Sequence, residues 1–250
     1  VLRVAGELGR VQARALAEQV WARRHEFITA LTPIDVGVRL AVEADEPEGD
    51  RLILADVADN PGGGGGGNTT GLLRALLDAG ARRVLLAVFT DAALADEAHQ
   101  LGVGACFEAR FNRDAIADPF AQPLSHAARV VALSDGAFVG RKGLVKGSLQ
   151  TMGPSALLDL GGMQVAVISQ RQQLLDPAQL DVLGVDLAAV RTLVVKSRGH
   201  FRAAFDDFAP PGRVVEVDAP GLTTPRLASL GLAKLPRPCF PLDPETSWPA

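Results

Sequence analysis

Leu52-Ile53-Leu54-Ala55-Asp56-Val57-Ala58-Asp59-Asn60-Pro61, then six glycines from Gly62 to Gly67, then Asn68-Thr69-Thr70-Gly71, is the stretch that decides the fold. An apolar run enters the glycine loop, and a helical pattern from Leu72 to Leu77 leaves it. A run that is apolar from Leu52 to Ala55, with no polar alternation, is the pattern of a strand buried on both faces of a parallel sheet. The passage from such a strand through glycines into a helix leaves backbone N–H groups pointing outward. An anion or a polarised carbonyl can be held there.

The same grammar extends downstream. The spacing predicts a helix from about Thr69 to Ala79 closed by Gly80, a strand over Val84–Phe89, and a helix capped by Asp91 and closed by Gly102. From about 105 to 170 the pattern changes to short β-rich pieces separated by Ser134-Asp135-Gly136, Met152-Gly153-Pro154 and Gly161-Gly162. The parallel grammar returns with a short helix after Asp176-Pro177, a strand over Arg191–Lys196 and a last strand over Arg213–Asp218. The predicted class is α/β: a mostly parallel sheet flanked by helices, with an antiparallel β-hairpin or small-barrel insert. The proline-rich tail from Ala219 is expected to lie extended over the surface.

Upstream, Val4, Leu8, Val11, Ala15, Leu16 and Val20 fall at helical spacing, with Trp21 and Phe27 near the helix end. Thr32-Pro33 stops that helix, Ile34 to Val42 is a second amphipathic piece, and the acidic Glu43 to Asp50 reads as a linker. A domain boundary near residue 50 follows. A helical pattern already runs at Val1, with no signal-peptide features, as in a chain that starts inside something longer.

The 250 residues are 48% hydrophobic, enough for a substantial core. The net charge is -4 and the 25 basic residues are scattered, which predicts no nucleic-acid partner. No apolar run reaches the roughly 18 residues of a membrane span. Cys106 and Cys239 have no CxxC spacing, so a reducing compartment, and with it a soluble cytoplasmic protein, is expected.

Three polar clusters fall at predicted strand ends: Asp56/Asp59/Asn60 with the glycine loop, Lys196/Ser197/His200 with Arg202, and Asp218 with Gly221–Thr224. If those strands are neighbours, the clusters meet at one sheet edge, where ligands bind in such folds. The glycine loop lacks the Gly-Lys-Ser/Thr of a P-loop, and it equally suits a flexible loop that simply avoids strain. Lys196 to Arg202 suits an anionic group or a substrate carboxylate, and equally a capping and salt-bridge cluster. No HExxH, GxSxG or paired histidines occur, so no metal or catalytic residue is assigned from the pattern.

Four motifs together carry a resemblance: Leu54 to Gly64, Val131 to Val139, Val194 to Phe205 and Val217 to Thr223. In family order over about residues 50 to 243, they resemble the C-terminal half of the MlrC-like (microcystinase C) metallopeptidases. The resemblance implies a zinc-dependent peptidase (a hydrolase acting on linear peptides) whose metal ligands belong to an N-terminal domain almost wholly absent here. Residues 1–50 would then be the remnant of that domain, 51–243 the C-terminal domain and 244–250 a tail. No metal ligand or catalytic residue is carried over, and zinc is expected on the N-terminal domain of the parent. The resemblance transfers Asp59, Asn60, Gly62, Gly63, Gly64, Lys196, Ser197 and His200 as candidates lining a peptide cleft, with the glycine loop as its mobile wall. The expected partners are a peptide or small-molecule substrate and the chain's own N-terminal domain, with a homo-oligomer left open. A non-catalytic anion or carboxylate module and an oligomerisation domain are the alternatives.

Overall fold

The computed structural model describes residues 6–114 and 118–248. Val4, read as the start of the first helical stripe, and Pro249 lie outside the described residues. The chain divides into two compact units, 1–30 with 225–250 and 31–224.

In the first unit, α1 spans Gly6–Ala22. Trp21 stacks on Phe240 and Trp248, with ring centroids 6.0 and 5.5 Å apart, while the Arg24 guanidinium lies 4.7 Å from the Trp21 ring centroid. The proline-rich tail is therefore anchored on α1 by aromatic rings, where the sequence predicted a strand of chain draped over a surface. Large flat side chains supply that contact area without needing regular structure.

The second unit runs β1 (Thr32–Pro33), α2 (Ile34–Ala44), β2 (Leu52–Asp56), α3 (Gly71–Asp78), β3 (Val84–Thr90), α4 (Ala92–Leu101), β4 (Cys106–Phe111) and β5 (Leu124–Ser134). It continues through β6 (Ala137–Val139), β7 (Leu149–Thr151), β8 (Ser155–Asp159), β9 (Met163–Ile168), α5 (Ala178–Asp181), β10 (Thr192–Val195), α6 (Arg202–Phe205) and β11 (Val214–Asp218). Asp91 caps α4 by accepting a hydrogen bond from Leu94 N at 3.0 Å, as its position before the apolar stripe predicts. None of the described helices is long and apolar enough to cross a membrane.

One sheet takes the strand order β1-β11-β2-β10-β3-β9-β8-β5-β4. Every neighbouring pair from β1 to β9 is parallel, and every pair from β9 to β4 is antiparallel. The antiparallel part expected between 105 and 170 is thus an extension of the parallel sheet, and β6 and β7 alone form a separate small hairpin sheet. The join is made by β9, which pairs in parallel with β3 and antiparallel with β8, and both β8 and β9 are as buried as the parallel strands.

Alternate residues of the central strands feed two cores. Leu52, Leu54 and Leu86 pack beneath α2, α3 and α4 together with Leu73, Leu76 and Leu94. Ile53, Ala55, Leu85 and Leu193 pack on the other face with Leu180, Phe201 and Phe205. Fully burying one such side chain contributes about 1.5–3 kcal/mol. Leu54 is wholly buried and pairs in register with Val194 on one side and Val215 on the other. Leu54→Ala is expected to lower the unfolding free energy by about 2–5 kcal/mol in a urea titration; a loss below about 1 kcal/mol would show that this sheet centre is not the core.

Candidate functional site

The parallel register decides which side chains meet. Val195 pairs with Ala55, and Val217 pairs with Asp56, so the residues just beyond β10, β2 and β11 emerge side by side. The three polar clusters read from the sequence therefore do share one edge.

At its centre the Lys196 ammonium bonds Asp59 Oδ2 at 2.8 Å, Asp56 Oδ2 at 3.0 Å, the Thr69 carbonyl at 2.9 Å and Thr69 Oγ1 at 3.0 Å. The ring centroid of Phe89 lies 5.6 Å away. Lys196 is 2% exposed and Asp59 wholly buried. The Asp59 carboxylate also accepts backbone hydrogen bonds from Gly67 and Thr69, both at 2.7 Å. One carboxylate thus ties the start of the glycine loop to its end. Gly67 meets it with φ of +75°, a conformation that favours glycine.

Burial opposes the charge on Lys196, but the two neighbouring carboxylates outweigh it and hold its pKa above the usual lysine range. Burial also works against ionised Asp59. The Lys196 charge and hydrogen bond, with the two backbone donors, prevail and lower its pKa. For Asp56 burial wins over the attraction of Lys196, and repulsion from Asp59 adds to it, so its pKa is raised. One ammonium cannot neutralise two carboxylates, and Asp56 is the member that takes a proton most readily.

Most of the loop's remaining amides are also spent. Gly62 N donates to Asn60 Oδ1 at 3.0 Å, Gly63 N and Gly65 N donate to the Asn60 carbonyl at 2.9 Å, and Gly64 N donates to the Pro61 carbonyl. Asn60 N in turn donates to Thr223 Oγ1 at 2.9 Å. Arg171 reaches the Gly65 carbonyl at 3.2 Å. The loop expected to be a mobile wall is fastened along most of its length, because the chain's own oxygens take its N–H groups. The position that an anion would fill in a phosphate loop is filled by Asp59.

Of the residues singled out in the sequence, Asp59, Lys196 and Ser197 are buried, whereas Gly62, Gly63, Gly64 and His200 are exposed and Asn60 is half-buried. Arg202 stands apart, paired with Glu216 at 3.7 Å. Gln173 was missed. It links Asn60, Ser197 and His200, and it follows β9 in the polar run Arg171-Gln172-Gln173. A polar run leaving a buried parallel strand at the ligand-binding edge is the signal that could have found it.

The donor set does not fit a zinc ion. Among the described residues no group of three or more His, Cys, Asp or Glu side chains is arranged to hold a metal. The adjacent carboxylates, Asp56 and Asp59, both already face the Lys196 ammonium.

Residues 54–234 match the family model described as MlrC C-terminus. Microcystinase C from Sphingomonas sp is 27% identical over 193 residues, which cover 77% of this chain and 36% of that protein. A crystal structure of a putative metallopeptidase from Mesorhizobium sp. BNC1 superposes with a TM-score of 0.78 at 24% identity, covering 94% of this chain and 46% of that one. The shared feature with the latter is the fold. The chain spans 36% and 46% of the lengths of these two relatives.

The ion cluster makes stability pH-dependent with a defined sign. Asp59, held low, contributes stability that is complete above the ordinary carboxylate range and is lost as pH falls through its folded pKa. Lys196, held high, contributes stability that is complete below the ordinary lysine range and is lost as pH rises through its folded pKa. Asp56, held high, acts oppositely to Asp59: its contribution is complete in acid and lost as pH rises. Lys196→Met leaves two buried carboxylates facing each other and is expected to cost about 3–5 kcal/mol near pH 7. That cost should shrink in urea titrations at about pH 4, where the carboxylates of the variant accept protons; an equal cost at both pH values would contradict the assigned charges.

Proposed function

The chain belongs to the MlrC C-terminus family, and from that premise we propose that it forms one wall of the peptide cleft of a metallopeptidase. Zinc is held elsewhere in the parent protein, and β1 and α2, on the near side of the boundary expected at residue 50, join the sheet unit of residues 31–224 instead. The observation that carries this reading is the layered sheet edge: a buried Lys196–Asp59–Asp56 knot beneath a rim of half-buried Asn60 and exposed Gly62 to Gly64 and His200. The rim meets the peptide directly. Asp59 and Lys196 act on it through the loop they hold in place, and Ser197 through Gln173, which it meets at 3.1 Å.

A rim of glycines suits an extended peptide, because the absence of side chains lets one backbone approach another closely. The anion-module alternative is less well supported, since most of the loop N–H groups that would hold a phosphate or carboxylate already have partners within the chain. The hydrolytic chemistry, with metal-activated water, belongs to the part of the parent that carries the zinc.

Incubated with linear peptides and zinc, the 250-residue chain is expected to release no product, while the full-length parent cleaves them and a chelator abolishes the cleavage. Chelator-sensitive hydrolysis by this chain alone would sink the proposed division of labour.

A further inference from the structure

Asn60, Gln173 and His200 form a relay whose proton positions can be read from one end. Gly62 N donates to Asn60 Oδ1, and a backbone N–H can only donate, so that atom of Asn60 must be oxygen. The Gln173 atom that meets the same oxygen is therefore the amide nitrogen, Nε2, which also reaches Ser197 Oγ at 3.1 Å. This turns Gln173 Oε1 toward His200 Nδ1, 2.8 Å away. An amide oxygen only accepts, so Nδ1 carries a proton, and in the neutral ring Nε2 keeps the lone pair.

The relay is built into the fold. Gln173 is 6% exposed, and its amide lies where a side chain on residue 62 would be: a Cβ there would sit 2.7 Å from Gln173 Oε1. Gly62 is the residue type that lets the glutamine reach the loop. The imidazole at the other end of the relay is exposed.

Resting on the cleft-wall reading above, we propose that Gln173 is a positioning residue that fixes His200 in the Nδ1–H tautomer. His200 Nε2 is thereby presented as a hydrogen-bond acceptor for a backbone N–H of an extended peptide. Each non-proline residue of a peptide offers one such donor and cannot accept through it, so an unfixed imidazole that turned an N–H outward would repel the group it should bind. No proton is transferred in this step. His200 orients the peptide and takes no part in bond cleavage.

The test uses the full 250-residue chain labelled with 15N in histidine, with long-range 1H–15N correlations recorded in mildly alkaline buffer, where a histidine ring is neutral. His200 is assigned by the signal lost in His200→Asn, which separates it from His25, His99 and His126. The expected result is a protonated, pyrrole-type Nδ1 and a pyridine-type Nε2 at His200. Gln173→Leu, and Gly62→Ala that displaces the amide, are expected to move His200 toward the Nε2–H form. An Nε2–H ring in the unmodified chain, or a pattern that neither variant moves in a folded protein, overturns the tautomer lock.

In the full-length parent, Gln173→Leu is expected to raise KM for linear peptides about three- to tenfold with kcat little changed, the mark of a lost ground-state hydrogen bond. A locked tautomer with unchanged KM overturns the acceptor role. A parent that cleaves no peptide overturns the cleft-wall reading, while the tautomer measurement on the chain stands on its own.

Discussion

The structure depends on the burial of one cation between two carboxylates. Lys196 follows β10, Asp56 ends β2, and Asp59 opens the glycine loop, so a single ammonium ties two strand ends and a loop together. Such a cluster is a poor source of net stability, since taking charges out of water costs about as much as their attraction returns. Its effect is geometric. With one partner displaced, the other charges are left stranded in an apolar edge, so only one arrangement of strand ends and loop is acceptable.

That constraint explains why six consecutive glycines do not behave as slack chain. A glycine run costs more conformational entropy to order than any other sequence, and here the cost is met by hydrogen bonds at nearly every turn of the loop. Asp59 accepts from both Gly67 and Thr69, and Asn60 receives Gly62, Gly63 and Gly65. The arrangement resembles a phosphate loop that has supplied its own anion. It leaves a low, rigid surface of backbone at the sheet edge, which matches the demands of a peptide cleft better than those of a nucleotide site.

Most of the fold was legible because its central strands, β2, β3 and β10, are apolar at nearly every position and its turns carry glycine or aspartate caps. Asp91, Gly80 and Gly102 marked helix ends where they occur, and the strands after 190 lie within two residues of their expected bounds. The joining of β8, β5 and β4 to the main sheet was not legible, because local alternation reports that a strand exists and says nothing of its partner. At the site, the clustering of Asp56, Asp59 and Lys196 followed from strand ends only on the condition that the strands were neighbours, which the parallel pairing of β2 with β10 and β11 meets. Their burial did not, since it depends on Phe89 and Thr69 closing over the ammonium. Gln173 stayed hidden for a related reason: its role rests on Asn60 and His200, 113 and 27 residues away along the chain.

The central claim is that Asp59 and Lys196 hold the glycine loop as part of the folded core. Native-state hydrogen exchange at the Gly67 and Thr69 amides tests it most directly, because both donate to Asp59 while lying in a segment that composition alone would call flexible. The account predicts that these two amides exchange only through opening as costly as that of the neighbouring strands, Leu52–Asp56 and Thr192–Val195. Exchange at the rate of an unprotected surface loop would contradict it.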